Sequence, residues 1–382
     1  MTVSKTTKRM VQPPLEEPKG LFEPGWTRGD FLSFWGRVGL AGAGVAAFGP
    51  EIFLSGCARK TPEEELMEVS LDVTELVRTA QPGKPLNLER AVAAQLQADP
   101  KKAELLKQAR ERGWNDDALR DTLLEIRAGN MDVRKATATL VGREFGFDRF
   151  LLMFKPREDW IVAFPQLGAI CLNPIGVTHV KPSEIRQRAR SAMPHEGSHV
   201  VMWHGATERL ERKLPRTPYY NDDAIEQEVE RLGRMKQLQE GAVWELGFSE
   251  VACDKLGLRL SEHLGRSEAF KRAFRAQVRD ELSTYRGMLD GCRKMLGEGR
   301  TPTMRDMIHL GSLVEIGGMH AFALYINDAG LANELDRLAN DSIDMMCRVT
   351  GQSLEGEVRA DYDNMLEFLK HTARVIEPRK GG

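Results

Sequence analysis

Apolar side chains recur at spacings of three and four residues along most of the chain after residue 60, which predicts α-helices that bury one face. The first helix is expected to begin at Thr61, its N-cap, with Pro62 at the first helical position and Glu64 closing a capping box. Its apolar stripe comprises Leu66, Val69, Val73, Leu76 and Val77. The pattern predicts one helix through this whole stretch, with a face that needs a partner.

Residues that favour helix ends divide the following segment into several shorter helices. The predicted starts are Asn87, Asp99, Asn115 and Asp132, and the predicted stops are Gly83, Gly113 and Gly129. The sequence contains no convincing internal repeat and no low-complexity tract. Residues 58–147 are therefore expected to form a small helical bundle.

The pattern changes between Phe150 and His179, where short apolar runs replace the helical spacing. The runs FLLMF, DWIVAF and GAICLNPIGV are broken by Lys-Pro-Arg, Pro165 and Asn-Pro, which favours short strands. Helical spacing returns from Lys181 to the end and includes a helix expected to start near Asp222. The sequence thus predicts a mainly α fold of the α+β class, in which residues 148–382 form a helical domain with one small β-sheet.

The first 57 residues have a different character. From Phe31 to Gly49 the chain is apolar and rich in glycine and alanine, and scattered basic residues precede this run, so that it resembles a signal peptide. Arg37 interrupts the run and Pro50 follows it, so no stretch of about 20 apolar residues is present to span a bilayer as a mature helix. Residues 1–57 are therefore expected to direct export.

Leu54 to Cys57, with the sequence LSGC, resembles the lipobox of bacterial lipoproteins. The resemblance implies cleavage before Cys57 and a stable lipid anchor on this cysteine, which places the protein in the cell envelope, on the periplasmic or outer-surface face of a membrane. The segment from Thr27 to Leu32 is similar to the twin-arginine export motif, but Gly29 replaces the second arginine, so the export route stays open. Alternatively, residues 31–57 form a buried amphipathic helix that ends at an ordinary cysteine.

Composition and charge argue against several classes of protein. The chain has 41% hydrophobic and 29% charged residues, which is typical of soluble globular proteins rather than of disordered or multispan membrane proteins. Its formal net charge is -2 with interleaved signs, so it lacks the basic field that gathers nucleic-acid phosphates, and we expect no nucleic acid as a partner. The cysteines after Cys57 form no CxxC pair and are expected to be buried thiols, with disulfides as the alternative in an oxidising compartment.

The strongest chemical signal is H-E-G-S-H from His195 to His199, an H-E-x-x-H motif. Positions i and i+4 of a helix project from one face, so both imidazoles can bind one metal ion. Glu196 can take a proton from a water molecule on Zn²⁺, which lowers the pKa of that water toward about 7. Because Pro194 cannot donate a hydrogen bond within a helix, the motif helix is expected to start there or to follow a kink. Gly197 lowers helix propensity by about 1 kcal/mol relative to alanine.

A catalytic zinc site needs a third protein ligand and keeps its fourth position open for water. Glu250 is the favoured candidate because Asp254 follows one helical turn later, where it can hydrogen-bond a ligand histidine and strengthen its metal bond. Glu240 and Glu245 are competing candidates. The sequence therefore predicts a zinc site in which both motif histidines and Glu250 are the ligands.

The motif together with Glu250 and Asp254 resembles the gluzincin metallopeptidases, in which a helical glutamate is the third ligand and an aspartate one turn later contacts a ligand histidine. The segment from Glu250 to Gly257 is also similar to the E-x-x-A-D-x-x-G segment of the membrane heat-shock and prenyl-protein endopeptidases, with Cys253 in place of the alanine. The resemblance covers about 60 residues, from His195 to Gly257. It implies a zincin-like catalytic domain over residues 148–382, with Zn²⁺ as cofactor and a peptide or protein as substrate.

Zincin peptidases commonly place a histidine or tyrosine opposite the metal, where it stabilises the oxyanion of the reaction intermediate. Candidates for this role are His320, Tyr219, Tyr220 and Tyr325, each of which is otherwise an ordinary buried or surface residue. His204 precedes a glycine and is expected to cap a helix end. The strand near Gly168 to Leu172 is expected, by analogy, to be an edge strand that pairs with an extended substrate.

These features favour a zinc-dependent peptidase that is exported and anchored to a membrane as a lipoprotein. The alternative is a binding or assembly lipoprotein of the cell envelope with a zincin-like fold, in which residues 60–147 contact the partner and the metal is structural or absent. Hydrolysis of a non-peptide amide, such as a cell-wall crosslink, would use the same site. The sequence does not predict an oligomeric state.

Overall fold

The structure is a computed structural model that describes residues 61–155, 159–176, 180–221, 242–302, 313–350 and 355–381. Within these ranges the fold is mainly α-helical with one small mixed sheet, as the sequence predicts. The helices are α1 (Pro62–Glu68), α2 (Thr74–Thr79), α3 (Leu88–Ala91), α4 (Ala93–Ala98), α5 (Pro100–Glu111), α6 (Asp116–Leu140), α7 (Pro182–Glu211), α8 (Ala242–His263), α9 (Ser267–Gly297), α10 (Leu313–Tyr325), α11 (Ala329–Thr350) and α12 (Glu355–Val375). The strands are β1 (Ser70–Asp72), β2 (Arg149–Met153), β3 (Ile161–Phe164) and β4 (Ala169–Leu172).

Two sets of predictions concern residues beyond these ranges. The export segment with Cys57, and the helix expected near Asp222, lie outside the described residues. Among the helices that the structure does describe, none is both long enough and apolar enough to cross a membrane.

Several helices begin at the capping residues that the sequence indicates. Thr61 and Glu64 form the expected capping box, since the side chain of each accepts a hydrogen bond from the backbone N–H of the other. The side chains of Asn87, Asp99 and Asn115 likewise accept a backbone N–H in the first turns of α3, α5 and α6. These helix starts are predictable because a capping side chain contacts residues only two or three positions away.

Two predictions about the same region are wrong. The apolar stripe from Leu66 to Val77 does not form one helix, because β1 interrupts it and pairs with β2, which places Leu71 opposite Leu152. Helix α6 runs through both Gly129 and Asp132, so neither residue marks a helix end. In both cases, contacts with distant segments outweigh the local signal.

The sheet has the strand order β1-β2-β4-β3, so β4 lies inside it. Ile170 of β4 is opposite Phe150 of the parallel strand β2 on one side and opposite Ala163 of the antiparallel strand β3 on the other. The prediction that the strand from Gly168 to Leu172 lies at an edge of the sheet is therefore wrong. Gly168 has a positive φ of 57° in the tight turn after β3, which folds β3 back along the outside of β4. Among the strands that the structure describes, β1 and β3 form the edges of the sheet.

Helix α7 packs against α6 and α8, and glycine allows α6 to approach it closely. A Cβ at Gly129 of α6 would lie 2.5 Å from Cγ of Met193, and a Cβ at Gly197 of α7 would collide with the side chain of Val133. Both glycines weaken a helix locally by about 1 kcal/mol. Their place in the contact between the helices explains why they occur inside helical segments.

Candidate metal centre

Helix α7 carries the two motif histidines on one face. It runs without interruption from Pro182 to Glu211, so it does not start at Pro194, because twelve residues of the same helix precede this proline. The i, i+4 spacing brings the Nε2 atoms of His195 and His199 to 3.1 Å from each other, as the motif predicts.

Glu250 of α8 brings a carboxylate to the same point. Its Oε2 is 3.4 Å from Nε2 of His195, and its Oε1 is 3.8 Å from Nε2 of His199. Ligand atoms at about 2.0–2.1 Å from a tetrahedral ion lie about 3.3–3.4 Å from one another, so this spacing fits one shared ion. The three residues form a group that could hold a metal ion. The competing Glu240, and the side chain of Glu245, lie outside the described part of the chain.

The close approach of α8 to α7 depends on Gly257. A Cβ at this position would lie 2.9 Å from the backbone nitrogen of His195 and 3.0 Å from its Cα, and these backbone atoms are held within α7. A side chain at this position would push the helices apart. Glycine here lets Glu250, two turns earlier on α8, reach the imidazoles.

Two neighbouring residues of α8 contact the outer nitrogen of each imidazole, Nδ1, which is the ring nitrogen that does not face Glu250. Oδ1 of Asp254 is 2.8 Å from Nδ1 of His195, and Sγ of Cys253 is 3.2 Å from Nδ1 of His199. An ionised carboxylate only accepts hydrogen bonds, so the N–H at Nδ1 of His195 donates a hydrogen bond to Asp254, and Nε2 is the atom that can bind a metal ion once it has lost its proton. Asp254 thus lies where the sequence predicts it, against one of the histidines.

Burial and charge oppose each other at the histidines. Burial lowers the pKa of His195, but the charge and hydrogen bond of Asp254 outweigh this effect and hold the pKa well above its ordinary value. Burial lowers the pKa of His199 to about 4. Burial raises the pKa of Glu250, whereas His199 and His195 lower it, and the net result is a pKa of about 2. A divalent ion that binds here must displace the proton of His195, so binding is expected to release a proton.

Glu196 lies beside this group of three. It is 6% exposed, and the backbone of Ala163 in β3 lies near enough to its carboxyl group to lower its pKa. Burial raises the pKa of Glu196 to about 8; the charges of Glu250 and Asp159 act in the same direction, and His195 opposes them. A nearby divalent ion would favour the carboxylate form, which is the form that accepts a proton.

Two of the oxyanion candidates belong to other contacts in the helical core. Nδ1 of His320 on α10 is 3.1 Å from the hydroxyl of Tyr362 on α12. The ring of Tyr325 lies under the buried ammonium group of Lys255, with Nζ 4.4 Å from the ring centre. These contacts give both residues an ordinary packing role.

The remaining candidates lie around the C-terminal part of α7. The hydroxyl of Tyr219 donates to Glu208 at 2.5 Å, and Tyr220 is buried. The prediction that His204 caps a helix end is wrong, because α7 continues for seven residues beyond it. His204 instead stacks on the ring of Phe145, with 5.2 Å between the ring centres.

Sequence reasoning gave no role to Ala163, Cys253 or Gly257 at the site. The signal for Cys253 was present, since it lies three residues after Glu250 on the same helix and next to Asp254. No comparable signal marks Ala163, which precedes the motif by about 30 residues and reaches it only through the folding of the sheet.

No known protein family, curated protein or solved structure matches this chain. The side chains of the site therefore provide the basis for inferring its chemistry. Two imidazole nitrogens and one carboxylate oxygen face a common point, with a buried carboxyl group beside them. This donor set suits a divalent ion such as those of the first transition series.

Proposed function

We propose that this protein is a zinc-dependent peptidase in which His195, His199 and Glu250 bind the ion and Glu196 acts as general base. The observation that carries the proposal is the convergence of three electron-rich atoms within 4.8 Å of one another. Such atoms repel one another unless a proton or a cation lies between them. One divalent ion satisfies all three.

Zinc suits this site better than a hard cation does. Imidazole and carboxylate ligands at tetrahedral spacing are typical of Zn²⁺, whereas Ca²⁺ and Mg²⁺ prefer oxygen ligands alone. Structural zinc sites usually have four protein ligands, and catalytic sites have three with one position open. The Glu250 side chain is 40% exposed, so solvent and substrate can reach the open position.

Several residues of the chain have defined tasks in hydrolysis. When bound, the ion would supply Lewis acidity toward the substrate carbonyl and toward water. Glu196 takes the proton that the attacking water loses and transfers it to the nitrogen of the leaving amine. The backbone of Ala163 lies beside the Glu196 carboxyl group, and Asp254 keeps His195 in the tautomer that binds metal.

The sheet edge beside the site supports a peptide rather than a small amide as substrate. β3 is an edge strand that contacts α7 and reaches Glu196 through Ala163. An extended peptide that pairs with such an edge is held by main-chain hydrogen bonds, independently of its sequence. Its carbonyl groups would then pass the metal centre at regular intervals.

We also propose that the enzyme is an exported lipoprotein attached to a membrane through Cys57. The support is the signal-peptide pattern and the LSGC sequence, both of which precede the first described helix. Mass spectrometry of the mature N-terminus tests this point, and we expect a lipid-modified Cys57 as the first residue. An unprocessed N-terminus, or an unmodified Cys57, would contradict it.

Metal analysis and turnover together test the catalytic proposal. We expect one zinc ion per chain in the purified protein and none in His199→Ala. The Glu196→Gln variant should keep its zinc and lose peptide hydrolysis by about 10²–10⁴-fold, because only the proton transfer is removed. Stoichiometric zinc without turnover on a peptide library would favour the binding or assembly lipoprotein instead, and absence of zinc from the wild-type protein would contradict both the metal site and the enzyme.

A further inference from the structure

The two imidazoles of the metal centre have outer partners of different chemistry. His195 is paired with the charged carboxylate of Asp254, whereas His199 faces the thiol of Cys253 at 3.2 Å. A carboxylate fixes the tautomer of its histidine because it only accepts hydrogen bonds. A thiol both donates and accepts, so the contact with Cys253 alone leaves the tautomer of His199 open.

A second contact of the same sulfur removes this ambiguity. Sγ of Cys253 lies 3.4 Å from Sδ of Met202, and Cys253 is fully buried, at 0% exposure. A thioether sulfur has no proton and acts only as an acceptor. The thiol proton of Cys253 therefore points to Met202, which turns the lone pairs of Sγ toward His199.

The direction of these hydrogen bonds determines which nitrogen of His199 is protonated. If Sγ accepts, Nδ1 of His199 must carry the proton, and Nε2 then has its lone pair free. Nε2 is the atom that faces His195 and Glu250. The opposite tautomer would direct an N–H at the position of the metal ion.

We propose that Cys253 and Met202 are positioning residues that hold His199 in its metal-binding tautomer through the chain Nδ1–H to Sγ and S–H to Sδ. This inference rests on the proposed function, because it assigns the task of the chain to the zinc site. Met202 is three residues after His199 on α7, and Cys253 is next to Asp254 on α8, so both residues are placed by the helices that carry the ligands. Each histidine thereby has its own acceptor, anionic for His195 and neutral for His199.

Imidazole nitrogen NMR on metal-free protein with isotope-labelled histidine tests the tautomer directly. The protonated and the bare nitrogen of a neutral imidazole give distinct signals, so the spectrum identifies the tautomer of His199. We expect the proton on Nδ1 in the wild-type protein, and comparison with Met202→Leu separates the effect of the two sulfurs from that of His195, whose Nε2 lies 3.1 Å from Nε2 of His199. Met202→Leu conserves volume but removes the thioether that accepts from the thiol, and we expect part of the population to carry the proton on Nε2 as the thiol turns toward His199.

Zinc affinity, measured by competition with a chromophoric chelator, gives the second readout. Loss of an outer partner commonly lowers metal affinity by about 10–100-fold, and we expect the lower end for Cys253→Ala because the thiol is neutral. Cys253→Ser retains a group that can accept from Nδ1, and it should recover part of the affinity. Cys292→Ala is the matched control, since it removes a buried thiol from α9, and it should change stability without changing the tautomer or the zinc affinity.

Each outcome decides one point. A wild-type His199 protonated on Nε2, or a Met202→Leu variant with an unchanged tautomer and unchanged zinc affinity, would overturn the inference. If Cys253→Ala does not fold, the wild-type spectrum and Met202→Leu still give the answer. If Met202→Leu shifts the tautomer of His199 but the wild-type protein binds no zinc, the proposed function fails while the hydrogen-bond chain stands.

Discussion

The candidate metal centre between α7 and α8 and the contact between α10 and α12 both bury histidine inside a helical region. His320 is 6% exposed, and burial lowers its pKa, as it does that of His199. The two regions differ in what the ring nitrogens face. Nδ1 of His320 contacts the hydroxyl of Tyr362. In His195 and His199, by contrast, Nδ1 contacts a carboxylate or a thiol, and Nε2 faces the carboxylate of Glu250.

This difference shows that burial alone does not make a histidine a ligand candidate. A phenol hydroxyl can satisfy an imidazole with one hydrogen bond and no added charge. At the candidate metal centre, by contrast, three ligand atoms converge on one point, where either the proton of His195 or a bound cation offsets the charge of Glu250. The site differs from the His320 contact because several potential metal ligands, carried by two helices, converge on one point.

The largest expected effect comes from removing a ligand. Glu250→Gln should lower zinc affinity by more than about 100-fold, the upper end of the loss expected for an outer partner, because it removes the negative charge of the ligand and replaces one carboxylate oxygen with an NH₂ group that cannot bind the ion. Competition with a chelator measures this change. His320→Gln is the matched variant in the other region, and it should leave zinc affinity unchanged while lowering stability by about 1–3 kcal/mol. Equal losses of affinity in both variants would remove the distinction between the two regions.

Removing the outer partner should have a smaller effect on the metal. We expect Asp254→Asn to lower zinc affinity by about 10–100-fold, since Asn keeps the shape of the side chain but lacks the charge that strengthens the metal bond of His195. Tyr362→Phe removes the corresponding partner of His320 and should cost about 1 kcal/mol of stability with no change in zinc binding. An Asn variant with wild-type affinity would show that the carboxylate has no part in metal binding.

Helix packing gives a third contrast, which urea unfolding measures. Gly257→Ala should destabilise the protein by about 1–3 kcal/mol, because the new Cβ meets the backbone of His195. Gly317→Ala on α10 should cost less, since the nearest atom there is the flexible end of Met365. Gly287→Ala on α9 meets nothing within 4 Å and should stabilise by about 0.5–1 kcal/mol. A Gly257→Ala variant as stable as Gly287→Ala would contradict the close approach of α7 and α8.

The last contrast is the pH dependence of stability that Glu196 adds to the metal-free protein. Its pKa is raised from 4.5 to about 8 in the folded state, so the folded chain holds a proton in this window that the unfolded chain has lost. Stability should therefore fall as pH rises from about 4.5 to about 8. Glu196→Gln cannot ionise, and its unfolding free energy should fall less over the same range. Parallel stability curves for the two proteins would show that burial does not shift this carboxyl group.

Much of the local structure was predictable. The capping side chains of Thr61, Asn115 and others mark helix starts because they bond backbone groups within the first turn. The short strands after Phe150 followed from their apolar runs and turn residues. The break at β1 was not predictable, because its residues also fit a helical stripe and only pairing with β2 selects the strand.

Part of the candidate site was also predictable, because it depends on local residue spacing. Its motif lies on one helix, so residue spacing alone brings His195 and His199 together. The position of the edge strand was predicted wrongly, since the order of strands in a sheet depends on how the chain turns after β3, at Gly168. The oxyanion candidates had no fixed spacing from the motif, and the structure gives His320 and Tyr219 other partners.

The sequence by itself determined which side chains share a helix face, because the geometry of a helix fixes the direction of residues four positions apart. It thereby paired His195 with His199, and Glu250 with Asp254. Only the tertiary structure decided that these two pairs meet, that Cys253 faces His199, and that β3 forms the edge beside Glu196. These contacts join segments far apart in the chain, and they depend on how closely helices and strands pack rather than on any local spacing.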